Sequence, residues 1–230
     1  MSTSPSAFPT FGARARIIPQ RTGLLRIPPQ RFKRIFDVLF ALLLGFVALP
    51  FGLLIAAAIV LESRGPVLFA HTRIGRRSRR FRLWKFRSMV SNADEVLQAY
   101  LDQHPGYALE WRLAHKLRND PRVTRVGRFL RKTSLDELPQ LWNILRGEMS
   151  LVGPRPIVAE EIAKYGPPFL LYSQVLPGLT GLWQVSGRND TTYRERVELD
   201  SRYIRAWTAT LDLRVLLKTV RVVLRAHGAY

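Results

Sequence analysis

Two adjacent carboxylates, Asp136 and Glu137, lie in the densest cluster of chemically capable side chains in the chain, Asp120 to Pro156, DPRVTRVGRFLRKTSLDELPQLWNILRGEMSLVGPRP. Ser134, followed three positions later by Glu137, reads as a capping box. Leu135, Leu138, Trp142 and Leu145 mark one side of the helix it opens, which ends near Gly147. The pair therefore falls in a first helical turn, where free amide donors and the helix dipole favour anions. Pro139 weakens the ladder just beyond. Ordinary capping satisfies this spacing, with Glu137 closing the box and Asp136 complementing the dipole. The surroundings support a second reading. Arg122, Arg125, Arg128, Arg131 and Lys132 precede the pair, and Arg155 is held between Pro154 and Pro156. A guanidinium can clamp phosphate oxygens through its rigid fork. Adjacent carboxylates can hold a divalent cation or attack phosphorus. The choice is between a capped helix and chemistry on a phosphorylated molecule.

The element that must position such chemistry is Val38 to Leu61, twenty-four residues without a charge. A bilayer core needs roughly 20 apolar residues to span, and as a straight helix this run reaches about 36 Å. Pro50 sits near its middle, where it removes a hydrogen bond and bends or breaks the helix. The charges outside do not choose a side. Arg31, Lys33 and Arg34 precede the run, and Arg64, Arg73, Arg76, Arg77, Arg79, Arg80 and Arg82 follow it. A spanning helix normally has one basic, cytoplasmic flank; here both ends are basic. A broken helix that enters and leaves on the same face meets both demands, provided protein or water covers the freed carbonyls. A single span is the alternative. Asp37, near Lys33 and Arg34, reads as an ion-pairing anchor at the mouth of the run.

The totals narrow the class. With 230 residues the chain has the length of one ordinary domain, and with no cysteine it excludes disulfides, thiolate catalysis and Cys-based zinc sites. The apolar run starts too late and is too long for a secretory signal. A net charge of +19 calls for an anionic partner: a phospholipid surface, a phosphorylated substrate or nucleic acid.

The expected fold class is α+β and mostly helical. Residues 1–30 form a flexible basic leader and 31–63 a re-entrant membrane helix. Residues 64–225 form a small cytoplasmic catalytic domain ending in an amphipathic helix, with 226–230 as a tail. Val67 to Ala70 and Phe81 to Phe86 read as the strands of a short hairpin, with Ile74 to Arg80 as its connection. Asn92 and Glu95 read as a capping box for a helix that Pro105-Gly106 ends, and a second helix covers Tyr107 to Leu117. In Thr210 to Arg225, the residues Arg214, Lys218, Arg221 and Arg225 share one face and Leu213, Leu216, Leu217, Val220, Val223 and Leu224 another. That is the pattern of a helix lying in a membrane interface, or of a surface helix packed on a core.

Three separated motifs in order resemble the bacterial sugar transferases, the monotopic polyprenyl-phosphate phosphoglycosyl transferases. They are RIGRRSRRFRLWKFRSM at Arg73 to Met89, the Asp120 to Pro156 stretch, and PGLTGLWQVSGR at Pro177 to Arg188. The resemblance runs from about Arg31 to Arg225, in the short, catalytic-core form. His71, where many members have glutamine, is a modest departure. The resemblance implies a re-entrant helix broken at a proline, which agrees with the charge argument about Pro50. It implies transfer of a sugar-1-phosphate from a UDP-sugar to polyprenyl (undecaprenyl) phosphate with Mg²⁺, on the cytoplasmic face of the bacterial inner membrane. The product is the first lipid-linked intermediate of exopolysaccharide, capsule or O-antigen assembly. Carried onto this chain, Asp136 is the nucleophile that forms a phosphosugar ester, and Glu137, with Asp136, holds Mg²⁺. Arg131 and Arg155 neutralise phosphate charge, and Lys85 and Arg87 either face phosphate or remain surface cations. Gln184 and Arg188 shape the nucleotide or sugar pocket. Asp190 is either part of that pocket or a cap for the helix starting near Tyr193.

Partners expected on this reading are the UDP-sugar, the polyprenyl phosphate, anionic lipids and, in a homo-oligomer, further copies of the chain. A basic membrane scaffold accounts for the leader and amphipathic helix but gives no reason for LDELPQ beside GPRP. A nucleic-acid binder accounts for the charge but leaves the apolar run idle and lacks a recognition module.

Overall fold

A computed structural model describes residues 30–104, 106–108, 111, 117, 119–187 and 191–225. The expected leader and tail, Arg188, Asp190 and most of the helix anticipated at Tyr107 to Leu117 lie outside the described residues. The fold is α+β and mostly helical. Helix α1 (Gln30–Glu62) contains Pro50 and is the one described helix long and apolar enough to cross a membrane. Strands β1 (Leu68–Ile74) and β2 (Arg80–Phe86) pair antiparallel, with Leu68 opposite Phe86 and Ile74 opposite Arg80. The expected connection is shorter than the sequence suggested. Ile74 belongs to β1, and Arg77 and Ser78, both at φ 58°, turn the chain within the tip.

Helix α2 (Ala93–Gln103) starts where expected, but Asn92 makes no side-chain bond to the helix backbone; its amide reaches only the Glu95 carboxylate. Helix α3 (Arg125–Thr133) is capped by Thr124, whose hydroxyl accepts from the Gly127 N–H. A 3₁₀ turn over Leu135–Glu137 leads to α4 (Gln140–Leu145). Strand β3 (Ser150–Val152), α5 (Glu161–Tyr165), α6 (Phe169–Tyr172), β4 (Gly178–Thr180), α7 (Tyr193–Arg205) and α8 (Ala209–Arg225) complete the chain. The parallel pair β3–β4 had no signal in the sequence, because three-residue strands are too short to show alternation.

The capping box read at Ser134 and Glu137 does not form. Thr124 starts α3 early enough that Ser134 becomes its left-handed C-cap, at φ 59°, and the Ser134 side chain caps nothing.

The main core gathers Leu83, Leu141, Ile144, Met149, Leu151, Val152, Tyr203 and Val215. A smaller cluster of Ile59, Phe86 and Leu130 joins α1 to β2 and α3. Helix α1 meets the domain near both its ends. Ala41 and Ile59 are buried, and no residue of 42–58 is. At the first end Arg34 donates to the carbonyls of Ile144 and Leu145, and the Asp37 carboxylate accepts the Leu151 N–H at 3.1 Å. Asp37 is thus an anchor to β3, while Lys33 pairs with Asp212 on α8. At the second end Arg87 donates to the carbonyls of Ser63 and Arg64.

Helix α8 packs one side of its apolar face on the core and leaves the rest exposed. Val215 is buried and Leu211 and Leu216 pack on the core, while Leu213, Leu217 and Val220 stay exposed beside Arg214, Lys218 and Arg221.

Candidate active site

The last residues of β2, the C-terminal end of α3 and the 3₁₀ turn after it surround a cavity of about 720 Å³, beside the second end of α1. Gly127 brings α3 against the chain after β2. A Cβ there would sit 2.0 Å from the Ser88 carbonyl oxygen, so a larger residue would push the helix away. Across this close contact Arg131 Nε donates to Ser88 Oγ at 2.9 Å.

The tight αL turn at Ser134 stops α3 and sets the next two carboxylates toward β2. Lys85 Nζ lies 3.2 Å from Asp136 Oδ2 and 2.7 Å from Glu137 Oε1. Asp136 is only 7 % exposed. Burial pushes its pKa up, opposed by the Lys85 ammonium and reinforced by the Glu137 charge. Arg131, also largely buried, has its pKa pushed down by desolvation and drawn back up by Asp136 and Asp120.

Of the residues singled out from the sequence, Asp136, Glu137, Lys85, Arg87, Arg131, Arg155 and Gln184 all line this one cavity. Their tasks differ. The Arg87 guanidinium is engaged by the Ser63 and Arg64 carbonyls, which joins the cavity wall to the end of α1. Gln184 Nε2 donates to the Leu179 carbonyl, and its buried Oε1 has no partner among the described residues. Arg155 lies over the Trp183 ring at 5.5 Å. Pro50, Arg214, Lys218 and Arg221 are not part of the cavity, and Arg225 is the last residue of α8. Arg188 lies outside the described residues.

Two adjacent carboxylates suit Mg²⁺, which is held by one or two protein carboxylates with substrate phosphates and water as its other ligands. Among the described residues no group of three or more candidate ligands assembles.

Sequence reasoning missed Trp183, Ser88 and Glu62. Trp183 stood within the quoted PGLTGLWQVSGR motif, but only the fold places its ring under Arg155. Ser88 and Glu62 act through contacts with distant segments that no local spacing announces.

The family model described as bacterial sugar transferase matches residues 29–226. A UDP-galactose-lipid carrier transferase of Erwinia amylovora is 46 % identical over 220 residues, covering 96 % of this chain and 46 % of that protein. The exopolysaccharide production protein ExoY of Sinorhizobium fredii is 46 % identical over 216 residues, covering 94 % of this chain and 96 % of its own length. A UDP-glucose:undecaprenyl-phosphate glucose-1-phosphate transferase of Klebsiella pneumoniae is 41 % identical over 199 residues, covering 82 % of this chain and 39 % of its own. The chain thus spans about half the length of some curated relatives it matches and nearly all of ExoY. With a family match over residues 29–226 and relatives such as ExoY aligned along nearly their whole length, the chain belongs to the bacterial sugar transferase family.

Proposed function

We propose that the chain transfers a sugar-1-phosphate, a hexose-1-phosphate, from a UDP-sugar to polyprenyl phosphate. The observation that carries this reading is the convergence of Asp136 and Glu137 on Lys85 in a cavity that Arg131 and Arg155 also line. The names of the Erwinia and Klebsiella relatives point the same way.

An Asp136 Oδ attacks the sugar-bearing phosphorus. An Asp–O–P bond forms, the bond to the bridging oxygen breaks, and UMP departs with the electron pair. Polyprenyl phosphate then attacks the same phosphorus through one of its own oxygens. That attack releases the Asp136 carboxylate and yields the polyprenyl-diphosphate sugar. The acceptor is already anionic and needs no general base. Lys85 holds the two carboxylates in register before the donor arrives. Arg131 and Arg155 counter charge on the transferring phosphoryl group. Glu137, with Asp136, would hold Mg²⁺, which supplies Lewis-acid neutralisation of the diphosphate.

The membrane part of the reading rests on α1. As a straight rod its 33 residues would extend about 50 Å, yet both ends are fastened to the same domain. A domain on one face of the bilayer can hold both ends if the helix enters and leaves by that face, turning near Pro50. The exposed Leu213, Leu217 and Val220 of α8, beside three cations, fit an interfacial helix among anionic headgroups.

The direct test is release of UMP from a panel of UDP-sugars in the presence of polyprenyl phosphate and Mg²⁺. One UDP-hexose should give UMP and a lipid-linked product together. Release of UDP, or none with any sugar, would overturn the reading.

A further inference from the structure

Behind the cavity, α7 presents a stack of rings and guanidiniums that ends at Arg155. The capping box of Thr192 and Glu195 fixes the helix start. Thr191, just before it, accepts a hydrogen bond from Trp183 Nε1 at 2.6 Å. Arg196, one turn into α7 and 8 % exposed, lies 5.2 Å from the Tyr193 ring centre and 5.1 Å from that of Trp183. Its Nη1 donates to Glu161 at 3.0 Å, while Nε and Nη2 are buried without a hydrogen-bond partner among the described residues. With Glu161 as its one hydrogen-bond partner, this guanidinium is held largely by its faces against the rings. Trp183 in turn carries Arg155, and both line the cavity.

One turn further along α7, Asp200 is 1 % exposed and accepts the Tyr165 hydroxyl at 2.6 Å. Arg73 and Arg196 share the Glu161 carboxylate, at 4.0 and 3.0 Å.

We propose that Trp183 and Arg196 are positioning residues that hold Arg155 where a donor phosphate meets it. Both act through stacking. The inference rests on the transfer reading above. It predicts that Arg196 affects turnover by way of the stack, and that most of the loss at Trp183, itself a lining residue, depends on Arg155.

The test is a double-mutant cycle of Trp183→Leu with Arg155→Lys, read as kcat and KM for the UDP-sugar and as UMP affinity by calorimetry. Trp183→Leu alone should lower kcat/KM by about tenfold to a hundredfold, the scale of a misplaced charge. In the Arg155→Lys background the same change should cost less than about threefold. Trp183→Phe, which keeps the ring and loses the bond to Thr191, should recover most of the activity. Arg196→Lys keeps the Glu161 pair but removes the planar face. It serves as a second arm with the same expected non-additivity if Trp183→Leu does not fold. Losses that multiply in the two backgrounds, or an unaffected Trp183→Leu enzyme, would overturn the positioning role while leaving transfer standing. A wild-type chain that binds UMP non-additively across the cycle but transfers no sugar would defeat the transfer reading alone.

Discussion

The Glu62 carboxylate accepts the peptide N–H groups of both Arg125 and Val126, at 2.7 and 3.0 Å. The last residue of α1 therefore closes the first turn of α3, the helix that carries Arg131 and ends at the turn before Asp136. The apolar helix and the helix that leads to the candidate site are thereby joined through both oxygens of one carboxylate. Glu62→Ala should remove a cap worth about 1 kcal/mol, lowering the melting temperature and slowing turnover. Glu62→Gln, which retains one acceptor oxygen, should fall between the two. Melting curves and UMP release on the purified protein check the order. Equal activity in all three would detach α1 from the site.

Asp136→Asn keeps the shape of the side chain but not its nucleophilic charge. UMP release should fall by about a thousandfold or more. UDP-sugar labelled on the sugar-linked phosphate, given with Mg²⁺ and no acceptor, should leave label on Asp136 of the wild-type protein after rapid denaturation. Polyprenyl phosphate should discharge that label into lipid. Glu137→Gln should reduce label formation and raise the Mg²⁺ requirement. Label mapped to Glu137 would reverse the two roles.

Asp200 supplies a pH dependence with a definite sign. Its pKa is pushed up to about 6, chiefly by burial, from an ordinary 3.8. A group with a raised folded-state pKa contributes stability fully present below pH 3.8 and lost as pH rises through about 6. The Asp200→Asn protein lacks this titration. The melting temperature of the wild type, relative to that variant, should therefore climb as pH falls from 7 to 5. A constant difference across that range would show that Asp200 does not titrate there.

With no native cysteine, the chain suits single-cysteine labelling. A cysteine before α1 and one at the hairpin tip near Arg76 should both react from the cytoplasmic side of intact cells, and from that side only. Labelling from opposite sides would restore a single span. Pro50→Leu should favour a straighter α1 and let a fraction of molecules label from both sides.

The legible parts of the molecule were those with long or dense local signals. The uncharged run through Pro50, the hairpin and the α8 pattern needed only periodicity and charge. Asp136, Glu137 and Arg155 declared themselves by residue type. The capping box at Ser134 misled because the same spacing fits a helix start and the end of a preceding helix; only Thr124, ten residues upstream, decides between them. Lys85 and Arg87, two positions apart, could not be told apart by sequence. Lys85 reaches the two carboxylates while Arg87 secures the end of α1, a division that depends on where α1 returns to the domain. Trp183 was hidden because its ring meets Arg155 from an element distant in the chain.

The fastening of α1 at both ends has a consequence for how such a protein would respond to its lipid. A helix that crosses must match its length to bilayer thickness by tilting or by deforming the lipid. In the re-entrant arrangement the two anchors, Asp37 on Leu151 and Glu62 on Arg125, fix the depth of the loop against the domain itself. The cavity then rides at a constant height above one leaflet, and thick and thin membranes present the lipid phosphate to Asp136 alike. So arranged, the protein would carry its own depth gauge.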